Sequence, residues 1–352
     1  RGLLRLAGLG FGGFAGCSRR FDIGDGRSTT AETTGTAGTT AELPYRGESG
    51  QNLPDPRGVV VRNEGDRKRY VTVAGYDGDR TLFVRSAMVD AGKRRTYDDL
   101  VAKRGTYRLG VQTDDGLRAE REWVVAAAVD DPVVRIGDGV SVTATATCDP
   151  ACDPLSVGGE SAALPVGNGG NPATLRLSAD ERRRVAVTVE RERRTLLDYE
   201  YDLRPGIAVE VPVTERSGTY EVTVRAGDRE HSRTWPVPEV STLHVSPGDG
   251  QVFSCDEATG AVRVVNATDV ERELVVTISP DGPKTFQYRA SLDPGSERVL
   301  HETAQSSGEY RLAAELIDDD GAESTTWWVC PPRPDATVYV TAIGTVRIRT
   351  GD

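Results

Sequence analysis

One short block of sequence recurs three times along this chain of 352 residues. The three copies are Gly105–Val111, Gly218–Val224 and Gly308–Ala314, and each has a tyrosine at its third position. Downstream of the copies, at nearly fixed distance, lie Trp123, Trp235 and the adjacent Trp327 and Trp328, which are all four tryptophans of the chain. A recurrence of this kind indicates one structural unit repeated, so we expect three related domains.

The residues around these blocks follow a strand pattern. The runs that precede the tyrosines alternate and are rich in β-branched side chains: Arg69–Val73, Arg184–Val189 and Glu273–Ile278. Alternation with a period of two predicts half-buried strands. Asp-Gly pairs, which suit two-residue hairpins, fall between the runs at Asp77-Gly78, Asp115-Gly116, Asp281-Gly282 and Asp320-Gly321. No stretch carries a helical apolar stripe, so the predicted fold class is all-β, built from antiparallel sandwiches.

The repeated block resembles a late strand of immunoglobulin and fibronectin sandwiches. In those domains a tyrosine near the strand start hydrogen-bonds back across the corner. The resemblance implies that equivalent places are held by Tyr107, Tyr220 and Tyr310, with Trp123, Trp235 and either Trp327 or Trp328 on the paired strand. It covers the chain roughly from Gly58 onward and specifies architecture, not activity. The cysteine pair that joins the two sheets of antibody domains is absent here.

The repeats, together with the N-terminal residues considered in the next paragraph, divide the chain into five expected segments. They are a signal peptide and lipobox at 1–17, a threonine-rich linker at 18–50, and sandwiches at 51–130, 131–239 and 240–352. We expect Val133–Thr147 and Leu243–Ser254 to open the second and third sandwiches. The similar segment Ala336–Arg349 is predicted to form a hairpin at a sheet edge. It could complete the third sandwich of its own chain or add to a neighbouring molecule.

The N-terminal residues read as an export signal. An apolar, glycine-rich run from Leu6 to Phe14 follows a basic start and is too short to span a membrane as a mature helix. The ending Phe14-Ala15-Gly16-Cys17 resembles a lipoprotein box, which implies lipidation of Cys17. The opening residues resemble the latter part of a twin-arginine signal. From Ser28 to Glu42, seven of fifteen residues are threonine, which predicts a stalk without a core.

The charged residues bear on the class of partner that the chain can bind and on the kind of organism that its composition resembles. It carries 54 Asp and Glu against 43 Lys and Arg, a net charge of -11, which argues against a nucleic-acid partner. All but four of the basic residues are arginine. This bias together with the acidic excess resembles proteins of salt-loving archaea. With the N-terminal signal, the chain resembles an exported haloarchaeal lipoprotein with tandem immunoglobulin-like sandwiches.

After Cys17 four cysteines remain, an even number that suggests two disulfides in an exported protein. Cys255 and Cys330 flank the strands of the third repeat, so a bond between them is expected to staple the first and last strands of one sandwich. Cys148 and Cys152 lie close in sequence and suggest a local bridge. A metal site at this CxxxC is the alternative, but no histidine lies nearby and no second pair has matching spacing.

Several other groups of residues could form functional sites but have simpler explanations. The three histidines, His231, His244 and His301, are scattered over predicted hairpin or edge positions and do not indicate a catalytic triad. The Asp318–Gly321 run lacks the alternating ligands of a calcium loop. The arginines between 182 and 194 suit a solvated strand pair, with contact to an acidic glycan or neighbour as the alternative. Asn266-Ala267-Thr268 is an N-glycosylation sequon, so Asn266 is a predicted glycosylation site.

These observations predict a non-enzymatic cell-surface lipoprotein without a cofactor, with a structural, adhesive or assembly role in the cell envelope. Its expected partners are the membrane, through the lipid anchor, and other envelope proteins or copies of itself. The alternative is a lipoprotein that binds a ligand or solute through its second or third domain. A deep pocket with convergent polar groups would favour that alternative, and flat exposed sheet edges would favour assembly.

Overall fold

The structure, a computed structural model, describes residues 43–162, 171–248, 252–256, 258–280, 285–317, 321–332 and 334–350. Within these ranges the regular elements are strands, and none is a helix. The segment 1–17 with Cys17, the linker as far as residue 42, and Asp318–Asp320 lie outside the described residues. The predicted all-β class is confirmed.

Sandwich 1 contains eight strands in two sheets. In chain order they are β1 (Asn52–Asn63), β2 (Arg69–Asp77), β3 (Arg80–Val89), β4 (Arg94–Lys103), β5 (Gly105–Thr113), β6 (Arg118–Val125), β7 (Val133–Ile136) and β8 (Val140–Thr147). One sheet has the order β3-β2-β5-β6, and the other runs β4-β1-β7-β8. The valines of β2 and β5 alternate inward, so the core lies between the sheets.

The same eight-strand unit occurs twice more. A short strand, β9 (Ser156–Ser161), precedes sandwich 2, which contains β10 (Ala173–Leu177), β11 (Arg183–Arg191), β12 (Arg194–Leu203), β13 (Ile207–Thr214), β14 (Gly218–Ala226), β15 (Arg229–Val237), β16 (Thr242–Val245) and β17 (Phe253–Cys255). Sandwich 3 contains β18 (Gly260–Asn266), β19 (Arg272–Pro280), β20 (Phe286–Leu292), β21 (Glu297–Ala304), β22 (Gly308–Leu316), β23 (Ala322–Val329), β24 (Ala336–Val340) and β25 (Val346–Arg349). Pairing is the same in all three, so β2, β11 and β19 are equivalent central strands.

The strand pairs place two hairpins differently from the sequence expectation. β7 pairs in parallel with β1, where Val60 faces Val133, and β16 pairs in parallel with β10, where Leu175 faces Leu243. The segments 133–147 and 242–255 therefore complete the preceding sandwich instead of opening the next one. The alternating sequence of these segments suits a strand in either the preceding or the next sandwich. Their place is decided by parallel pairing with the first strand of the preceding sandwich, which is distant in sequence.

The C-terminal hairpin also pairs in parallel with the first strand of its sandwich. β24 pairs in parallel with β18, where Val262 faces Ala336, and β25 pairs with β24. Val338, Val340 and Val346 are buried in the core of sandwich 3. In this structure the hairpin therefore completes the third sandwich within its own chain.

Sandwiches 1 and 2 share a sheet. The second half of β8 pairs in parallel with β13, from Ala144 opposite Ile207 to Thr147 opposite Glu210, and this joins two four-stranded sheets into one of eight strands. Beside this junction Arg204 of sandwich 2, with its side chain 9% exposed, donates to Glu122 Oε1 of sandwich 1 at 2.6 Å. The two sandwiches are thus connected by backbone hydrogen bonds and by an ion pair whose arginine is nearly buried.

Candidate functional site

The repeated aromatic residues build the core of every sandwich. Tyr107 lies directly opposite Trp123, Tyr220 opposite Trp235, and Tyr310 opposite Trp327, with ring centroids 5.8 to 6.2 Å apart. Each tyrosine hydroxyl donates to the carbonyl four residues upstream, at Lys103, Arg216 and Ser306, over 2.8 to 3.0 Å. Burial raises the pKa of Tyr107 far above its ordinary value. These rings are structural and do not form a ligand site.

Trp328 has a different role from Trp327. It packs into the hydrophobic cluster of sandwich 2 together with Cys330, and the Arg233 guanidinium lies 4.0 Å from its ring centroid. A cation over an indole face is a favourable contact. The second tryptophan of the pair therefore belongs to the junction between sandwiches 2 and 3.

Both pairs of cysteines are disulfide-bonded in the structure. Cys148 is joined to Cys152, and Cys255 is joined to Cys330. The position of the second bond corrects the sequence expectation, because Cys255 ends β17 in sandwich 2 whereas Cys330 follows β23 in sandwich 3. The bond links two neighbouring sandwiches instead of the first and last strands of one.

The sequon at Asn266 is part of the interior. Asn266 is 0% exposed, and its Nδ2 donates to the carbonyls of Val270, Leu292 and Asp293, while its Oδ1 accepts from Thr268. A glycan on Nδ2 would break these bonds, so the folded chain cannot carry one there. Asn63 holds the equivalent place in sandwich 1 with the same kind of contacts, and Asn63-Glu64-Gly65 is not a sequon. Asn266 is therefore a structural residue.

The histidines do not converge. His231 lies on β15, His244 on β16 and His301 on β21. His244 Nε2 lies 2.9 Å from the exposed Asp256 carboxylate. Among the residues that the structure describes, no group of three His, Cys, Asp or Glu side chains is arranged to hold a metal ion.

Two concave regions of the described surface are small. One of about 230 Å³ lies on sandwich 3 between Val275, Ala313 and Glu323, and one of about 250 Å³ lies on sandwich 2 between Asp180, Arg183 and Pro247. Sites for drug-sized ligands are usually about 300–1,000 Å³ and mostly enclosed. These two regions therefore do not favour solute binding.

The outer face of sandwich 1 is the surface that differs from its equivalents. We define this face as the outward residues of β2 and β3: Tyr70, Thr72, Ala74, Tyr76, Val84, Ser86 and Met88. The strand register aligns them with Arg184, Ala186, Thr188, Glu190, Asp198, Glu200 and Asp202 of sandwich 2. In sandwich 3 the equivalents are Glu273, Val275, Thr277, Ser279, Gln287, Arg289 and Ser291. Sandwich 1 thus has large apolar side chains where its neighbours are mostly polar or charged.

Three apolar side chains of this face are well exposed, whereas Ala74 is buried, with 4% exposure. Tyr70 is 45% exposed, Val84 is 47% exposed and Met88, the one methionine of the chain, is 51% exposed. Tyr70 lies directly opposite Met88, and Ala74 lies opposite Val84. Exposed apolar side chains that are adjacent indicate an interaction surface more often than scattered ones do.

One end of the face combines an aromatic ring with a cation. The Arg108 guanidinium lies 4.7 Å from the ring centroid of Tyr76, and Arg108 also lies 3.4 Å from Glu120. Burial is the main cause that raises the pKa of Tyr76. Gly110 lies beside this ring, and a Cβ there would meet the Tyr76 ring edge at 3.4 Å. Thr72 and Ser86 are hydrogen-bonded to each other across the middle of the face at 2.9 Å.

No helix among the described residues has the length and hydropathy of a membrane span.

The three sandwiches, with their tyrosine corners and buried tryptophans, define an immunoglobulin-like protein. The chain belongs to the halobacterial Ig-like domain family, whose model matches residues 67–151, 181–262 and 270–352. Domains of this family are generally non-catalytic, and together with the two disulfides they fit an extracellular, surface or structural protein. A search of curated proteins found no match to the chain.

Two solved structures share distant likeness with the chain. The Bacillus anthracis TIE protein is 9% identical with a TM-score of 0.18, over 78% of this chain and 48% of that one. The chain thus spans about half the length of the TIE protein. The second is SGBP-B of the Bacteroides ovatus mixed-linkage glucan utilization locus, in complex with a mixed-linkage heptasaccharide. It is 15% identical with a TM-score of 0.13, over 85% of this chain and 70% of that one.

Proposed function

We propose that this protein is a non-catalytic, lipid-anchored component of the cell envelope that binds a partner protein through the outer face of sandwich 1. The observation that carries the proposal is the contrast at four of the seven equivalent positions, those of Tyr70, Tyr76, Val84 and Met88. Arg184, Asp198 and Asp202 of sandwich 2 stand where sandwich 1 has Tyr70, Val84 and Met88. The fold accepts charged residues at these places, so packing within the sandwich does not require apolar ones.

The chemistry of the face favours a protein partner over a small solute. Tyrosine, methionine and arginine are enriched at the centres of protein interfaces, whereas lysine and glutamate are depleted there. The face offers Tyr70, Tyr76 and Met88 on the outside of a sheet, with Arg108 at one end. Methionine also adapts its shape to a partner surface.

The expected result of site-directed crosslinking is a discrete adduct from the centre of this face. Ser86→Cys places a thiol between Tyr70 and Val84, and a crosslinker on intact cells should join it to one partner, detected as a shifted band and identified by mass spectrometry. Ser232→Cys, on the outer face of sandwich 2, is the matched control and should give no such band. Adding Tyr70→Arg and Met88→Asp, the residues of sandwich 2, should abolish the adduct. An adduct that persists, or that forms equally from Ser232→Cys, would refute the role of this face.

Lipid anchoring rests on the Phe14-Ala15-Gly16-Cys17 sequence, which supports cleavage before Cys17 and lipidation of its thiol. Intact-mass measurement of the native protein should show loss of residues 1–16 and a lipid on Cys17. Cys17→Ser should release the protein from membranes into the medium, because a chain without lipid loses its apolar anchor. Cys148→Ser combined with Cys152→Ser is the control and should leave membrane association unchanged. Full membrane retention of Cys17→Ser would exclude the anchor.

A further inference from the structure

Three arginines lie side by side on the second sheet of sandwich 1, the one that contains β1, β4 and β7. Arg62 of β1 lies directly opposite Arg94 of β4 on one side and opposite Arg135 of β7 on the other. All three side chains are exposed, whereas the adjacent Val61 and Val134 are buried, so the arginines point away from the core. We call these three residues the arginine row.

The positive charges of the row are close together and only partly neutralised. Neighbouring strands lie about 4.8 Å apart, so three strands place the row within about 10 Å. Like charges that lie directly opposite each other destabilise a sheet. Arg135 has one partner, Glu64, whose Oε1 lies 2.8 Å from Arg135 Nη1. Among the residues that the structure describes, no carboxylate lies within 4.0 Å of the guanidinium of Arg62 or Arg94.

The other two sandwiches do not repeat the row. Strand register aligns it with Ala208, Ser178 and Ser246 in sandwich 2, and with Glu297, Val265 and Tyr339 in sandwich 3. Arg176 and Arg263, which lie on the equivalent first strands, instead have a carboxylate on the neighbouring strand. Arg176 lies 2.6 Å from Glu210, and Arg263 lies 3.2 Å from Glu297. The fold therefore does not require adjacent arginines at these positions.

The sheet surface around the row carries no opposing charge. Uncharged residues occupy the next outward positions along the strands and the place beside Arg135 on β8: Thr96, Val60, Val133, Thr143 and Ser141. The turns that follow β1, β3 and β7 carry both signs: Glu64, Asp66, Asp90 and Asp138 with Arg67, Lys68 and Lys93. With the row included, basic residues outnumber acidic ones at this end of the sheet.

The far end of the same sheet is acidic and limits how a ligand can lie. Asp98 and Asp131 are each four positions along the strand from Arg94 and Arg135, which corresponds to about 13 Å. A negatively charged chain that followed the strands would meet these carboxylates. A chain that crosses the strands would meet the three arginines in turn.

We propose that the arginine row binds an anionic polysaccharide, one with sulfate or carboxylate groups along its chain, which lies across β4, β1 and β7. Each guanidinium can donate two parallel hydrogen bonds to such a group. The hydroxyls of Thr96, Ser141 and Thr143 border the row and can exchange hydrogen bonds with sugar hydroxyls. The residues that border the row include no aromatic side chain, whereas protein interfaces depend on such anchors. The site lies on the opposite sheet from the outer face and goes beyond the function proposed above.

Glu64 acts as an internal competitor at this site. Its carboxylate occupies Arg135, which shows that an oxyanion group fits there, and a bound polysaccharide would displace it. Glu64→Gln removes the negative charge and should therefore raise the affinity for an anionic polysaccharide several-fold.

The test is isothermal titration calorimetry of the full chain with Cys17→Ser, so that lipid does not drive association. The probes are short dextran sulfate and polygalacturonate, with dextran as the uncharged control. Arg62→Ser, Arg94→Ala and Arg135→Ser together give the row the residues of sandwich 2. This row variant should lose at least about tenfold in affinity for the anionic probes, because hydrogen bonds to charged groups are worth at least that factor.

The matched control removes the same charge elsewhere. Arg184→Ser, Arg225→Ser and Arg289→Ser lie on the outer sheets of sandwiches 2 and 3, where their side chains are 62% to 70% exposed. This control variant should keep the affinity of the parent chain. In a KCl series, the affinity of the row variant should fall less steeply than that of the parent, because fewer ion contacts are exchanged.

Four outcomes would overturn the proposal. The first is a parent chain that binds neither anionic probe more tightly than dextran, and the second is an equal loss of affinity in the control variant, which would mean diffuse attraction. The third is binding of polyglutamate as tight as that of either polysaccharide, which would assign the row to an acidic polypeptide. The fourth is an unchanged or lower affinity of Glu64→Gln, which decides the question even if circular dichroism shows the row variant to be unfolded.

Discussion

Trp235→Ala is expected to unfold sandwich 2 by removing a fully buried indole. The ring is 0% exposed, it packs against Tyr220 with centroids 6.2 Å apart, and its Nε1 donates to Val240 O at 2.7 Å. Truncation therefore leaves a cavity and an unpaired carbonyl. Such changes usually cost about 3–5 kcal/mol of unfolding free energy. Denaturant unfolding followed by tryptophan fluorescence, with limited proteolysis of residues 171–256, measures the effect.

Trp235→Phe is the control, since it keeps an apolar ring and should cost less than the alanine variant. The hydrophobic cluster of sandwich 2 also includes Val124 and Ala146 of sandwich 1 and Trp328 of sandwich 3. We therefore expect the neighbouring sandwiches to lose protection next. If Trp235→Ala leaves sandwich 2 resistant to protease, the indole contributes little and the shared core is held by other residues.

Removal of the Cys255–Cys330 disulfide by Cys255→Ser with Cys330→Ser is expected to give the second large effect. The bond closes a sequence separation of 75 residues that contains β18 to β23. A loop of this length corresponds to about 4 kcal/mol of stabilisation in the chain-entropy treatment. Because the bond joins two sandwiches, its loss should also expose the chain between Cys255 and Gly260 to protease. Calorimetry and peptide mapping after brief digestion report the two consequences.

Cys148→Ser with Cys152→Ser is the matched control, because it closes a separation of only 4 residues. The same treatment assigns it about 2 kcal/mol. It should leave cleavage near Gly260 unchanged. Equal cleavage there in both double variants would show that the junction of sandwiches 2 and 3 is held by Trp328 and Arg233 and not by the disulfide.

The all-β class could be predicted because the residues that point into the core recur at regular positions in the sequence. The Gly-x-Tyr blocks and the tryptophans mark the core, and alternation around Val71 and Val73 marks a half-buried strand. It did not place the closing hairpins, since the parallel pairing of β7 with β1 depends on contacts between residues about 70 positions apart. That pairing has no local signature, so Val133–Thr147 was assigned to the wrong neighbour.

The outer face was missed for a different reason. The repeats are recognisable from their inward positions, whereas the contrast lies at outward ones such as Tyr70, Val84 and Met88. Aligning the outward positions of β2 with those of β11 and β19 would have found it, since this needs only the strand register. Asn266 was misread because a sequon contains no information on burial, although Asn63 in the equivalent place offered a hint.

The parallel first and seventh strands of every sandwich also determine how the protein bears mechanical load. β1 lies between β4 and β7, and it is the strand through which residues 43–51 enter the fold. Tension applied along β1 pulls on all its hydrogen bonds at once, in shear, instead of opening them one after another. The same arrangement recurs in β10 and β18. When residues 43–51 are pulled while the opposite end of sandwich 1 is held by a partner, the bonds of β1 to β4 and β7 therefore resist together.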